Sequence, residues 1–148
     1  MATPDPVTLR RFVYDEILSR GQPPTAKRIG DHFGIGPSDA KRRLAALKIG
    51  KTVLAHPETG EIWMAGPFAA SATPYRVVGA HQMWWANCAW DMLGVAVIAN
   101  EPVRIDASCT DCKCPVTLVA SPERGVESRW VVHFLLPARQ WYDDIGYT

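Results

Sequence analysis

The chain has 148 residues, 47% of them hydrophobic, and a formal net charge of +1, which suits a soluble globular protein of one domain or two small ones with a sizeable core. No stretch approaches the ~18 apolar residues of a membrane span. Charge divides unevenly: residues 1–66 carry ten Lys/Arg against seven Asp/Glu, residues 67–148 six against eight.

The opening residues, Met1 to Pro6, lack the basic and apolar regions of a signal peptide, so a cytoplasmic location is expected. Three of the four cysteines crowd into Cys109-x-x-Cys112-x-Cys114. That is not a disulfide framework, and in a reducing compartment such residues serve as thiols or metal ligands.

In chain order, Val7, Leu9, Phe12, Val13, Ile17 and Leu18 recur on a helical period with Arg10, Arg11, Asp15 and Arg20 opposite. Gly21-Gln22-Pro23-Pro24 ends this helix, Thr25 caps a second that runs to Phe33, and Gly34-Ile35-Gly36 turns the chain into a third. The third helix, opened by Pro37-Ser38-Asp39, turns Ala40, Leu44, Ala45 and Leu47 inward and Lys41, Arg42 and Arg43 outward, ending near Gly50. Short strands Thr52–Ala55 and Glu61–Met64 follow, joined by a Pro/Gly turn. Three helices and a hairpin resemble a winged helix, whose third helix would enter a major groove. A segment of net charge +3 is less basic than a committed DNA binder, so DNA is the disfavoured partner.

Residues 66–74, rich in Pro, Ala and Ser, read as a connector, which divides the chain into an N-terminal domain over 1–66 and a core over 67–148. In the core, residues 75–78 form a strand, a helix spans Ala86–Leu93 and stops at Gly94, Val103–Ile105 and Val116–Val119 pair as a hairpin, and Trp130–Leu136 forms a strong strand. Arg139–Tyr142 begins a helix or turn. The fold class is α+β, with three helices ahead of a mainly antiparallel sheet.

The stretch Trp84-Trp85-Ala86-Asn87-Cys88-Ala89-Trp90-Asp91 carries the chemistry. On a helix, Cys88 and Asp91 share a face. Tryptophans around them make an apolar setting, which raises a carboxyl pKa and keeps the acid protonated. The competing reading is a packed core cysteine. Asp91 weighs against it, because a carboxylate is costly to bury without a partner.

Cys109, Cys112 and Cys114 have the C-x-x-C spacing of half a zinc site, which Cys88 or His133 would have to complete. The alternative is a turn with incidental thiols. His32, His81 and His133 stand alone in sequence, and Asp143-Asp144 is too few ligands for a hard cation.

Taken together, Asn87-Cys88-Ala89-Trp90-Asp91 after Trp84-Trp85, the upstream Pro67-Phe68 and Thr73-Pro74-Tyr75, the Cys109-x-Asp111-Cys112 turn, and Val132-His133-Phe134 followed by Pro137 and Trp141-Tyr142-Asp143-Asp144-Ile145-Gly146-Tyr147-Thr148 resemble the alkylmercury (organomercurial) lyase family. The resemblance runs from about residue 5 to the last residue. It implies protonolysis of a carbon–mercury bond, with Cys88 as a mercury-binding thiolate, Asp91 as proton donor and tryptophans excluding water. No cofactor is required on this reading. Mercury is substrate and product, the partner is an organomercurial small molecule, and a thiol protein that accepts mercury is a further one.

The resemblance also implies a second catalytic cysteine beyond Thr148, so the chain reads as truncated before it, and catalysis would need that thiolate supplied. Cys109, Cys112 or Cys114 could substitute. The family's C-x-D-C turn is structural, yet Lys113 and Cys114 stand where small residues are expected, which makes this turn more metal-competent. The alternative function is a non-enzymatic thiolate metal-binding protein, or a metal-responsive DNA-binding regulator built on the same scaffold.

Overall fold

A computed structural model describes residues 3–145. Met1 and Ala2, and Gly146, Tyr147 and Thr148 of the C-terminal motif, lie outside the described residues.

The three expected N-terminal helices are present. Helix α1 (Pro6–Arg20) starts where the Asp5 carboxylate accepts the backbone N–H groups of Val7 and Thr8 at 2.8 and 3.1 Å, and Pro6 fills a first-turn position that needs no N–H. It ends at Gly21, whose φ of +77° suits a residue without Cβ. Leu9, Val13 and Ile17 form its buried stripe, whereas Val7 is exposed. Thr25 caps α2 (Ala26–Phe33) through the Arg28 N–H, and α3 (Pro37–Leu47) buries Ala40, Leu44 and Leu47.

The expected hairpin is β1 (Val53–Ala55) and β2 (Ile62–Ala65). The stretch read as a connector holds strand β3 (Phe68–Ala69), which pairs with β2 on one side and with β5 (Met83–Ala86) on the other. The sheet continues through β4 (Arg76–Val78), β6 (Val103–Ser108), β7 (Pro115–Ser121) and β8 (Gly125–Val126), giving the antiparallel order β1-β2-β3-β5-β4-β6-β7-β8. Residues 1–66 and 67–148 therefore contribute to one eight-stranded sheet over one hydrophobic core, in which Ile17, Ile29 and Leu44 join Phe68, Val77 and Ile105. Trp84 ties the two parts together, its buried indole N–H donating to the Ile17 carbonyl at 2.9 Å.

Two expected elements differ. The helix expected over Ala86–Leu93 is instead strand β5 up to Ala86, a bend, and helix α4 (Asp91–Ala99), which runs through Gly94. Trp84 and Trp85 extend because they pair with Val77 and Arg76 across β4, and aromatic residues fit a half-buried pleated surface. Helix α4 continues past Gly94 because Met92, Val95 and Ala96 bury one side of it against the sheet. The strand expected at Trp130–Leu136 is irregular and exposed. A β-rich segment becomes a strand only where it is laid alongside another strand, and among the described residues this one joins neither edge of the sheet.

Candidate active site

Cys88 and Asp91 do come together, by a route other than a shared helical face. Cys88 follows the last residues of β5 and Asp91 is the first residue of α4, so the bend between them folds the carboxyl back over the thiol. The two groups lie close enough to perturb one another: the carboxylate raises the pKa of the thiol, while the backbone N–H groups of Trp90 and Asp91 lower it. This is the electropositive end of a helix, where a thiolate is favoured.

Burial nevertheless dominates the electrostatics of both groups. It raises the Asp91 carboxyl above its ordinary range, partly offset by hydrogen bonds from Asn87 and Cys88. It raises the Cys88 thiol too, with the negative charge of Asp91 adding to the effect and the helix N–H groups opposing it. Two anions in this space are disfavoured. The Tyr75 phenol lies close enough to feel the thiolate's charge, and with burial this raises its own pKa.

Asn87 orients the carboxyl. Its side-chain N–H₂ donates to Asp91 Oδ2 at 3.1 Å and to the Gly66 carbonyl at 2.9 Å, and its backbone N–H donates to the Pro67 carbonyl. Both side-chain partners are acceptors, which fixes the orientation of the amide. The amide oxygen is buried with no partner.

Thiol and carboxyl open into a cleft of about 210 Å³ whose floor includes Asn87, Cys88 and Asp91. One wall is Lys51, Thr52, Leu54 and Met64 from the first 66 residues. The other is aromatic: Trp90 meets Phe134 edge-on at 6.2 Å between ring centroids, and Phe134 meets Trp141 at 5.0 Å. Lys51 Nζ sits 4.0 Å from the centre of the Tyr142 ring, bridging the two walls. Of the three tryptophans expected around the site, only Trp90 lines it. Trp84 is a core residue.

Cys109, Cys112 and Cys114 lie apart from the cleft lining, on the loop that joins β6 to β7. Cys112 and Cys114 are exposed with their sulfurs 2.7 Å apart, and Cys109 is half-buried. Among the described residues no three His, Cys, Asp or Glu side chains are grouped so as to hold a metal ion. The basic residues of α3 are engaged within the protein: Arg42 and Arg43 pair with Asp39 at 2.6 and 3.1 Å, and Lys41 with Glu61 at 3.3 Å. His32 stacks on Phe12. No helix is long and apolar enough to cross a membrane among the described residues.

A model of the alkylmercury lyase family matches residues 68–148, more than half of the chain, and takes in Cys88 and Asp91. The chain belongs to the alkylmercury lyase family. Among solved structures, the mercury-bound form of MerB2 shares its fold, with a TM-score of 0.63 at 15% sequence identity over 85% of this chain. The chain spans 60% of that protein's length. No curated protein matches the sequence. The lyase match begins after Lys51, Thr52, Leu54 and Met64, so one wall of the cleft comes from outside the segment that identifies the family. Nothing in the sequence marked those four residues as belonging to a site, and Asn87 stood in the motif without a role of its own.

Proposed function

We propose that this chain protonolyses carbon–mercury bonds, with Cys88 binding mercury and Asp91 carrying the proton. The observation that supports it is the Cys88 thiol and the half-buried Asp91 carboxyl side by side in the lining of an aromatic cleft. Thiolates are the ligands that soft metal ions select. An alkyl- or arylmercury cation takes the Cys88 sulfur, and the thiol proton passes to the neighbouring Asp91 carboxylate. A second thiolate then joins the metal, pushing electron density toward the carbon. Asp91 delivers its proton to that carbon as the carbon–mercury pair becomes a carbon–hydrogen bond. The hydrocarbon leaves, Hg²⁺ stays on the two sulfurs, and Asp91 is again a carboxylate. The burial that raises the Asp91 pKa favours the protonated acid that the reaction needs. The walls formed by Trp90, Phe134 and Trp141 shelter the organic group.

The test is release of the arene from an arylmercurial in excess small thiol, which supplies the second sulfur and carries Hg²⁺ away. The wild-type chain releases arene. Asp91→Asn cuts the rate by about 10²-fold or more, and Cys88→Ser removes turnover. Arene release that is absent from the wild type under excess thiol, or unchanged in both variants, would falsify the assignment.

A further inference from the structure

We infer that Cys112 and Cys114 form a second, exposed thiol site that chelates a soft two-coordinate cation of the Hg²⁺ type. Their sulfurs are 2.7 Å apart, closer than the van der Waals contact of two sulfur atoms and longer than a disulfide bond. Both side chains are exposed at the tip of the β6–β7 hairpin.

The loop holds them there. The Cys109 N–H donates to the Cys114 carbonyl at 2.9 Å, and the Lys113 N–H donates to the Cys109 carbonyl at 3.0 Å. Lys113 Nζ donates to the Thr110 carbonyl at 2.6 Å. Lys113 takes a φ of +58°, and this left-handed residue between the two cysteines brings both side chains to one side of the turn.

The number of donors selects the metal. Zinc takes four ligands in a closed site, and no group of three candidate donors exists among the described residues. Two thiolates suffice for a thiophilic ion that binds linearly, and thiolates are the donors such ions prefer. On binding Hg²⁺ each cysteine loses its proton and forms one sulfur–metal bond, giving a neutral complex and two released protons. The exposed side chains can swing apart to span the metal. The site requires neither Cys88 nor Asp91, so it stands independently of the lyase reading.

The experiment titrates the reduced chain with HgCl₂ in excess monothiol, removes free metal by gel filtration, and counts retained mercury by mass spectrometry. Excess monothiol strips mercury from single cysteines and leaves it on chelating pairs. Cys88→Ser retains one equivalent. In that background Cys112→Ser and Cys114→Ser each weaken retention by about 10²-fold or more, since the second thiol acts at the effective concentration of a tethered ligand. Cys109→Ser retains mercury as before. Retention that survives both Cys112→Ser and Cys114→Ser overturns the inference, as does loss with Cys109→Ser. So does stoichiometric Zn²⁺ bound in place of mercury. Arene release reads out the cleft separately, so either result stands without the other.

Discussion

Asn87 contributes no reactive atom, yet the Asp91 carboxyl depends on it. Its amide donates to Asp91 Oδ2, and a donor bonded to a carboxylate favours the charged form. Removing that bond with Asn87→Ala raises the Asp91 pKa further above its ordinary range. In the proposed reaction the free protein is active with one proton on the Cys88–Asp91 pair. A second proton added at low pH, or loss of the first at high pH, stops it. Burial raises both groups, so both limbs of the pH–rate profile lie above the values of free Asp and Cys. Asn87→Ala then moves the acid limb to higher pH. A pH series of arene release checks this, and an acid limb that stays in place would show that the Asn87 bond does not tune the acid.

At the scale of elements, two contacts hold the helical part that supplies one wall of the cleft. Glu16 is a buried acid on α1 that pairs with Arg28 of α2 through two bonds of 3.0 Å and with Arg20 at 3.0 Å. The hydrogen bonds from Arg28 come first in holding its carboxyl below the ordinary 4.5. A depressed folded pKa adds stability above the unfolded value and loses it as pH falls through the folded one. Glu16→Gln therefore destabilises the chain by about 1–2 kcal/mol near neutral pH, since both guanidinium groups are partly exposed. The difference from wild type closes as pH drops below about 4.5. Urea melts at pH 7 and pH 3 measure it. In α2, a Cβ on Gly30 would lie 2.6 Å from the Ile35 carbonyl oxygen, while the Ile35 N–H bonds the Gly30 carbonyl at 3.0 Å. Gly30→Ala must open this turn, and a loss of about 1–3 kcal/mol is expected by thermal melting.

Across the whole molecule, the short strand β3 joins the hairpin of the N-terminal part to the rest of the sheet. Its Phe68 is 2% exposed and lies between the rings of Tyr14 and Trp84, at 6.2 and 6.3 Å. Phe68→Ala is expected to cost about 3–5 kcal/mol and to lower one cooperative transition, because the core it leaves is shared by both parts of the chain. Calorimetry that resolves two transitions, with only one moved by the substitution, would show that the parts unfold separately. The same continuity builds the cleft. Lys51, Thr52, Leu54 and Met64 reach Cys88 and Asp91 only because β1 and β2 sit in the same sheet as β5.

Local chemistry was legible from the residues alone. Thr25 and Gly21 mark helix ends because each satisfies or relaxes backbone groups within a few positions of itself. The β6–β7 hairpin follows from apolar runs flanking a turn, and the nearness of Cys88 to Asp91 follows from their spacing. The partners of Trp84 and Trp85 were not legible, and those partners made the segment before Cys88 a strand. Nor was it legible that, among the described residues, Trp130–Leu136 pairs with no strand and is irregular. Backbone hydrogen bonds in a sheet are made between distant segments, so strand state depends on which segments the fold lays side by side. The sequence by itself determined the family, the closeness of a thiol and an acid, and most of the N-terminal helix bounds. Tertiary structure alone decided which side chains surround that pair: Asn87 through the Gly66 carbonyl, Lys51 through the Tyr142 ring, and Phe134 through Trp90. Those contacts join residues far apart in the chain or in separate elements, and burial, which raises the pKa values of the thiol and the acid, is a property of the assembled cleft.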